Sequence, residues 1–238
     1  MILKRKIYKK LLEWKKECQG KKALLIEGAR RIGKSTICEE FGKSEYKSFL
    51  LIDFAKKDKE VEGYFEKYLN DLDTFFMLLQ THFGTKLTER NSLIIFDEVQ
   101  MFPQARAAIK YLVADGRYDY IETGSLISIR ENVKNIVIPS EERHINMYPL
   151  DFEEFAIALE EDLLVEYIKK CFEKREPLER SMHNQAMLLF HQYMLVGGMP
   201  MPVVTFIESK KDFTEADREK RDILKLYRET SYEKSTID

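Results

Sequence analysis

Gly28-Ala29-Arg30-Arg31-Ile32-Gly33-Lys34-Ser35-Thr36 satisfies the pattern G-x-x-x-x-G-K-[ST] at every fixed position. The run before it, Ala23-Leu24-Leu25-Ile26-Glu27, is short and apolar and reads as a buried strand, and Thr36 to Phe41 can open a helix. Strand, glycine loop, helix is the setting in which this pattern builds a phosphate site. Gly28 and Gly33 let the backbone curl so that successive N–H groups point inward as an anion nest. The helix that starts near Gly33 adds the positive end of its dipole. The whole stretch from Gly28 to Thr36 is therefore expected to cradle phosphates, with Lys34 reaching the β- and γ-phosphates and the Ser35 hydroxyl ligating Mg²⁺. The competing reading is a glycine turn followed by a cationic helix start. A chance match in a chain of this size is on the order of one in a hundred, and the preceding strand lowers that further.

Downstream, Asn91-Ser92-Leu93-Ile94-Ile95-Phe96-Asp97-Glu98 ends an apolar run on two acids. This predicts a buried parallel strand whose C-terminal end presents carboxylates, the end at which ligands sit in open α/β sheets. Asp97 is expected to hold the magnesium, directly or through water, as the acidic half of an NTPase site does. Glu98 is placed to orient and deprotonate the attacking water. Without the glycine loop, the two acids read equally well as the start of a helix, where they would suit its dipole. Tyr118 to Thr123 predicts a further strand closing on Thr123-Gly124-Ser125. A small polar side chain there is suited to sensing the γ-phosphate or fixing the attacking water, and the triplet also reads as a strand-ending turn.

The other segments supply a frame. Residues 1–22 carry nine Lys/Arg against Glu13 and Glu17, with Leu3, Ile7, Leu11, Trp14 and Cys18 at helical spacing. That is a basic amphipathic helix. It can dock its stripe on the domain, contact nucleic acid or lipid, or target the chain. Its acids and lack of serine argue against targeting, and docking with a solvated charged face is the preferred reading. Because it leads straight into the loop strand, Arg5 or Tyr8 is expected near a bound base. Lys47 to Phe54 predicts a second strand, residues 59–83 one long helical stretch, 103–115 a helix ending near Gly116, and Arg143 to Tyr148 a last strand. Residues 126–142 read as a polar loop or short helix. From Asp151, an N-cap with Glu154 three residues on, the chain is helical, broken at Glu176-Pro177 and stopped at Gly197-Gly198-Met199-Pro200. His183 and His191 have no partner at metal spacing and read as packing or surface residues.

The 238 residues suffice for one large α/β domain or a medium domain with a smaller helical one. Charged residues make up 34% with a formal net charge of −2, which excludes a global basic field for nucleic acid. Three widely spaced cysteines, Cys18, Cys38 and Cys171, are neither a disulfide framework nor a zinc set and fit reduced thiols. No apolar run approaches the ~18–20 residues of a membrane span, and no secretory core follows the start. The expectation is a cytoplasmic protein without membrane contact.

Taken in order, GARRIGKST, LIIFDEVQ, YIETGSLIS, MYPLDFEEF and YMLVGGMP resemble a prokaryotic family of AAA+-type P-loop ATPases in which the ATPase domain precedes a restriction-nuclease-like module. The similarity runs from about Arg5 to about Tyr227. It implies a parallel sheet with a strand inserted between the loop strand and the Asp97 strand, Glu98 as catalytic base and Thr123 as sensor. The family usually carries Gly-Arg before its YPLSF-like motif. Here Glu142 replaces the glycine, and Arg143 is the candidate γ-phosphate or trans-acting arginine, with Arg130 in reserve. The family continues beyond the last motif, so a C-terminal module is expected to be missing.

These readings give an α/β fold with residues 1–22 as an N-terminal helix, 23–150 as the P-loop core and 151–238 as a helical region. The expected function is Mg²⁺-dependent ATP binding and hydrolysis, slow in isolation, with homo-oligomerisation where a neighbour supplies an arginine. The alternative is a nucleotide-gated switch or interaction module with little turnover of its own. Nucleic-acid binding would rest on the N-terminal helix alone.

Overall fold

The computed structural model describes residues 1–125 and 141–235, with side chains to residue 228. Arg130 and the loop expected around it lie outside the described residues. The chain divides into two compact units, Ile7–Met147 and Met1–Lys6 with Tyr148–Asp238.

In the first unit, β1 (Ala23–Glu27), β2 (Ser48–Asp53), β3 (Ser92–Asp97), β4 (Asp119–Gly124) and β5 (Glu142–Asn146) form one parallel sheet in the order β2-β3-β4-β1-β5. The strand inserted between β1 and β3 is β4, as the resemblance implies. Every residue of β3 and of β4 is buried; β3 accordingly reads as an apolar run, whereas β4 buries Asp119, Glu122 and Thr123 among its apolar neighbours. Alternate residues serve two faces. Ala23, Leu25, Leu50, Ile52, Ile94, Phe96, Tyr118 and Tyr120 join one core with α3 (Lys59–Tyr68), α4 (Leu72–Phe83) and α5 (Pro103–Asp115). Phe65 makes edge contacts with Phe54, Phe75, Phe96 and Phe102 there. The helix α2 (Lys34–Glu45) packs against β2, β3 and β4 and against α1 (Ile7–Cys18). Trp14 of α1 meets Phe41 of α2, and its indole donates to the Lys22 carbonyl at 3.0 Å.

Four residues of the expected stripe, Ile7, Leu11, Trp14 and Cys18, are buried on α1, whereas Leu3 lies before the helix and packs with the second unit, so the helix is shorter than residues 1–22. The single helix expected over 59–83 is two. Asp71 accepts from the Thr74 amide at 3.2 Å and from its hydroxyl at 2.6 Å, capping α4 and ending the continuity that the apolar spacing suggests.

The second unit is helical: α6 (Phe152–Ala158), α7 (Asp162–Lys174), α8 (Arg180–Val196), α9 (Pro200–Glu208) and α10 (Phe213–Ser235). Asp151 and Glu154 form a reciprocal capping box on α6. Arg5 reaches Glu154 at 3.2 Å and the Tyr148 carbonyl at 2.6 Å, so the first six residues belong here. The glycine pair after α8 does more than stop a helix. Leu150 N–H donates to the Gly198 carbonyl at 2.7 Å, and a Cβ on Gly198 would lie 2.1 Å from the Leu150 carbonyl oxygen. Only glycine admits that backbone approach. Among the described residues no helix is long and apolar enough to cross a membrane.

Candidate functional site

The glycine loop leaves β1 and turns into α2. A Cβ on Gly28 would fall 2.4 Å from the Met147 carbonyl oxygen and 2.6 Å from Ile32 Cδ1, so the loop's entry has room for hydrogen only. Gly33, at φ 90°, is the N-cap of α2, and Arg31 takes the left-handed conformation at φ 64°. Ile32 is fully buried and anchors the loop, while Ala29, Arg30, Arg31 and Thr36 are exposed.

Lys34 is the first residue of α2 and is 4% exposed. Its ammonium donates to the Ala29 carbonyl at 2.9 Å and the Gly28 carbonyl at 3.2 Å, folding the side chain back over the loop. Burial pushes its pKa below the ordinary lysine value, opposed by the charges of Glu98 and then Asp97. Arg30 adds to the depression. Both acids that the sequence assigns are thus close enough to act on the loop lysine electrostatically.

The ends of β3 and β4 meet the start of α2 in one hydrogen-bonded group. Ser35 Oγ donates to Asp97 Oδ1 at 2.8 Å, and Thr123 Oγ1 donates to the same oxygen. The Glu98 amide donates to Thr123 Oγ1 at 3.2 Å. The pairing of Phe96 with Glu122 places Asp97 beside Thr123. Glu98 itself is left-handed, at φ 55° and ψ 48°, and caps a 3₁₀ turn, Val99–Met101. Its carboxylate accepts a hydrogen bond from Gln100 Nε2. Cys38, wholly buried nearby, has a thiol pushed far up by burial and by Asp97, so it acts as an apolar packing group.

Lys34, Ser35, Asp97, Glu98 and Thr123 therefore come together from the loop, β3 and β4. Arg143 does not. It lies at the start of β5, in register with Leu24, and its guanidinium pairs with Glu17 at 2.7 Å. Gly28 follows Leu24 by four positions, about 13 Å along the strand direction, so the register sets Arg143 apart from the glycine loop of its own chain. Tyr8 donates to Glu45 at 2.9 Å and Arg5 donates to Glu154 at 3.2 Å.

Sequence reasoning missed two features. Gln100 is one; its signal was a glutamine two residues past the acid pair. The other is a buried charged group beneath the sheet. Arg106 of α5 forks onto Glu142 with hydrogen bonds of 2.9 and 3.2 Å, and both side chains are almost fully buried. His144 reaches Glu142 at 3.1 Å and Glu27 at 3.5 Å. Glu122 lies wholly buried in the same group. Among the described residues no three His, Cys, Asp or Glu side chains are grouped to hold a metal. Ser35 and Asp97 still fit Mg²⁺, which needs only one or two protein oxygens when phosphates and water complete its shell.

Comparison with known proteins gives the site its family. Similar solved structures include domain III of the replication initiation protein DnaA from Thermotoga maritima, with 14% identity, TM-score 0.44 and coverage of 88% of this chain and 87% of that one. The Aeropyrum pernix Orc1 protein, solved in complex with DNA, has 9% identity, TM-score 0.40 and coverage of 82% and 68%. PCH-2 of C. elegans has 12% identity, TM-score 0.43 and coverage of 91% and 65%. No curated protein matches the sequence. The model of the AAA domain family matches residues 20–156, more than half of the chain and every strand of the sheet. With the parallel sheet and the glycine loop already in place, the conclusion is that this chain belongs to the AAA domain family of nucleotide-binding P-loop units.

Proposed function

We propose that the chain binds ATP with Mg²⁺ at the Gly28–Thr36 loop and hydrolyses its γ-phosphate. The observation that carries this reading is the convergence of Ser35 Oγ and Thr123 Oγ1 on Asp97 Oδ1, beside the Lys34 ammonium. Loop amides and Lys34 hold the phosphates. Ser35 and Asp97 hold the magnesium, which when bound neutralises charge on the phosphate oxygens. Glu98 receives the proton of the attacking water, and Thr123 fixes the end of β4 against both acids. The chemistry is in-line attack at phosphorus, and the chain contributes position and charge more than bonds.

The test is phosphate release with Mg²⁺-ATP alongside calorimetric nucleotide titration. Glu98→Gln should lower turnover about 10²–10⁴-fold, the reach of a general base, and leave ATP affinity within a few-fold. Lys34→Ala should weaken affinity itself about 10–100-fold, the range of a charge-assisted contact. Unchanged release from Glu98→Gln would remove the base, and unchanged affinity in Lys34→Ala would remove the loop.

A second reading, a nucleotide-gated switch with little turnover alone, is favoured by Arg143 pairing with Glu17 away from the acid pair. An arginine supplied by a neighbouring subunit can contribute 10³–10⁵ in rate. Turnover per molecule that climbs with protein concentration supports assembly, and a flat, negligible rate supports the switch.

A further inference from the structure

We propose that Gln100 is a positioning residue for Glu98, its side-chain amide holding the carboxylate in one orientation just past the end of β3. This rests on the reading of Glu98 as the base. The contact is direct, from Gln100 Nε2 to Glu98 Oε2. An ionised carboxylate only accepts, so it is the NH₂ end of the amide that faces it. The two partners differ in freedom. Gln100, the middle residue of the 3₁₀ turn, is 4% exposed, whereas Glu98 is only half-buried. The buried amide is the fixed partner and the carboxylate is the one held.

The backbone adds to the argument. A left-handed conformation at a residue with a Cβ costs on the order of 1–2 kcal/mol and persists where its surroundings over-determine it. At Glu98 those surroundings can be named. Its amide is bound by Thr123 at 3.2 Å, and its carbonyl accepts from Met101 N–H at 2.9 Å. With the backbone held at both ends, three side-chain torsions remain free, and Gln100 is the group that restrains them. Misplacing a reacting group by about 1 Å can cost ~10²-fold in rate, so a restraint at this position is worth a large share of turnover while contributing nothing to nucleotide affinity.

The experiment is a double-mutant cycle read by single-turnover phosphate release and by nucleotide titration. Gln100→Met keeps the length and removes the donor, and Gln100→Glu keeps the shape and replaces donor with acceptor. Each should lower kcat about 10–100-fold, with KM for ATP within twofold. In the Glu98→Gln background the same changes should add less than twofold, because there is no carboxylate left to hold. An undiminished kcat in Gln100→Glu overturns the proposal, as does a loss of equal size in both backgrounds or a change confined to KM. If the methionine variant does not fold, the glutamate variant alone decides. Full turnover in Glu98→Gln alone would instead refute the base, a result distinct from any failure of Gln100.

Discussion

Ser35 Oγ stands 2.8 Å from Asp97 Oδ1, joining the first turn of α2 to the end of β3 across sixty-two positions of sequence. The two oxygens that would contact magnesium are thus already within hydrogen-bonding distance of each other. Ser35→Ala removes one of them and leaves the loop amides in place. Nucleotide affinity in the presence of Mg²⁺ should fall about 10–100-fold, the range of a lost hydrogen bond to a charged group, and affinity in EDTA should change less than threefold. Calorimetric titrations with and without the metal check it, and an equal loss in both would detach Ser35 from the cation.

Arg143 should be dispensable for turnover. Its partner is Glu17, both side chains are substantially exposed, and an exposed ion pair contributes about 0–1 kcal/mol. Arg143→Ala is expected to keep phosphate release within twofold at every protein concentration. A drop of tenfold or more would return this residue to the site.

Beneath the sheet, Arg106 and Glu142 should dominate stability. Removing one partner of a buried pair costs about 3–5 kcal/mol, because the other charge is left in a dry surrounding. Arg106→Met should show that loss in urea unfolding. Arg106→Met with Glu142→Leu should recover most of it, since apolar replacements of both partners are often neutral or better. A double variant as unstable as the single would mean that packing, not charge, sets the cost.

Glu122 gives the fold a pH dependence of definite sign. Burial raises its carboxyl well above the usual range, the Glu142 charge raises it further, and Arg106 opposes. The folded chain therefore keeps a proton that the unfolded chain releases above about pH 4.3. More protons bound in the native state means that stability falls as pH rises from that value toward the folded pKa, by at most ~1.4 kcal/mol per pH unit. Asp58, Asp151 and Glu153, whose pKa values are depressed, act in a lower window and lose their contribution as pH falls. Urea midpoints between pH 5.5 and 8 should decline less steeply in Glu122→Gln than in the parent chain, and parallel slopes would refute this.

What could be read from sequence and what could not divide along physical lines. Strands buried on both faces, such as β3, announce themselves as apolar runs, and a glycine loop between strand and helix has few other uses. The positions of Lys34, Ser35, Asp97 and Glu98 followed from those two signals together. Arg143 did not, because a sequence can place an arginine on a strand without saying which end of the neighbouring strand it faces; the register with Leu24 decides that. The α3–α4 break depended on one side chain, Asp71, choosing a cap over a continuous helix. Arg106 looked like any solvated helix position, and Glu142 like a departure from a family glycine. Each explains the other only when Arg106 of α5 reaches Glu142 of β5, and no local pattern encodes a pairing over that separation.

Thr123 has a single hydroxyl proton. Having directed it at Asp97, the oxygen can only receive from the Glu98 amide, so one atom meets both acids at once. The distance of Thr123 from both residues is then fixed by the spacing of adjacent strands, not by a pliable linker. On the proposed reading, alignment of the site is inherited from sheet geometry, and it survives for as long as β3 and β4 stay zipped.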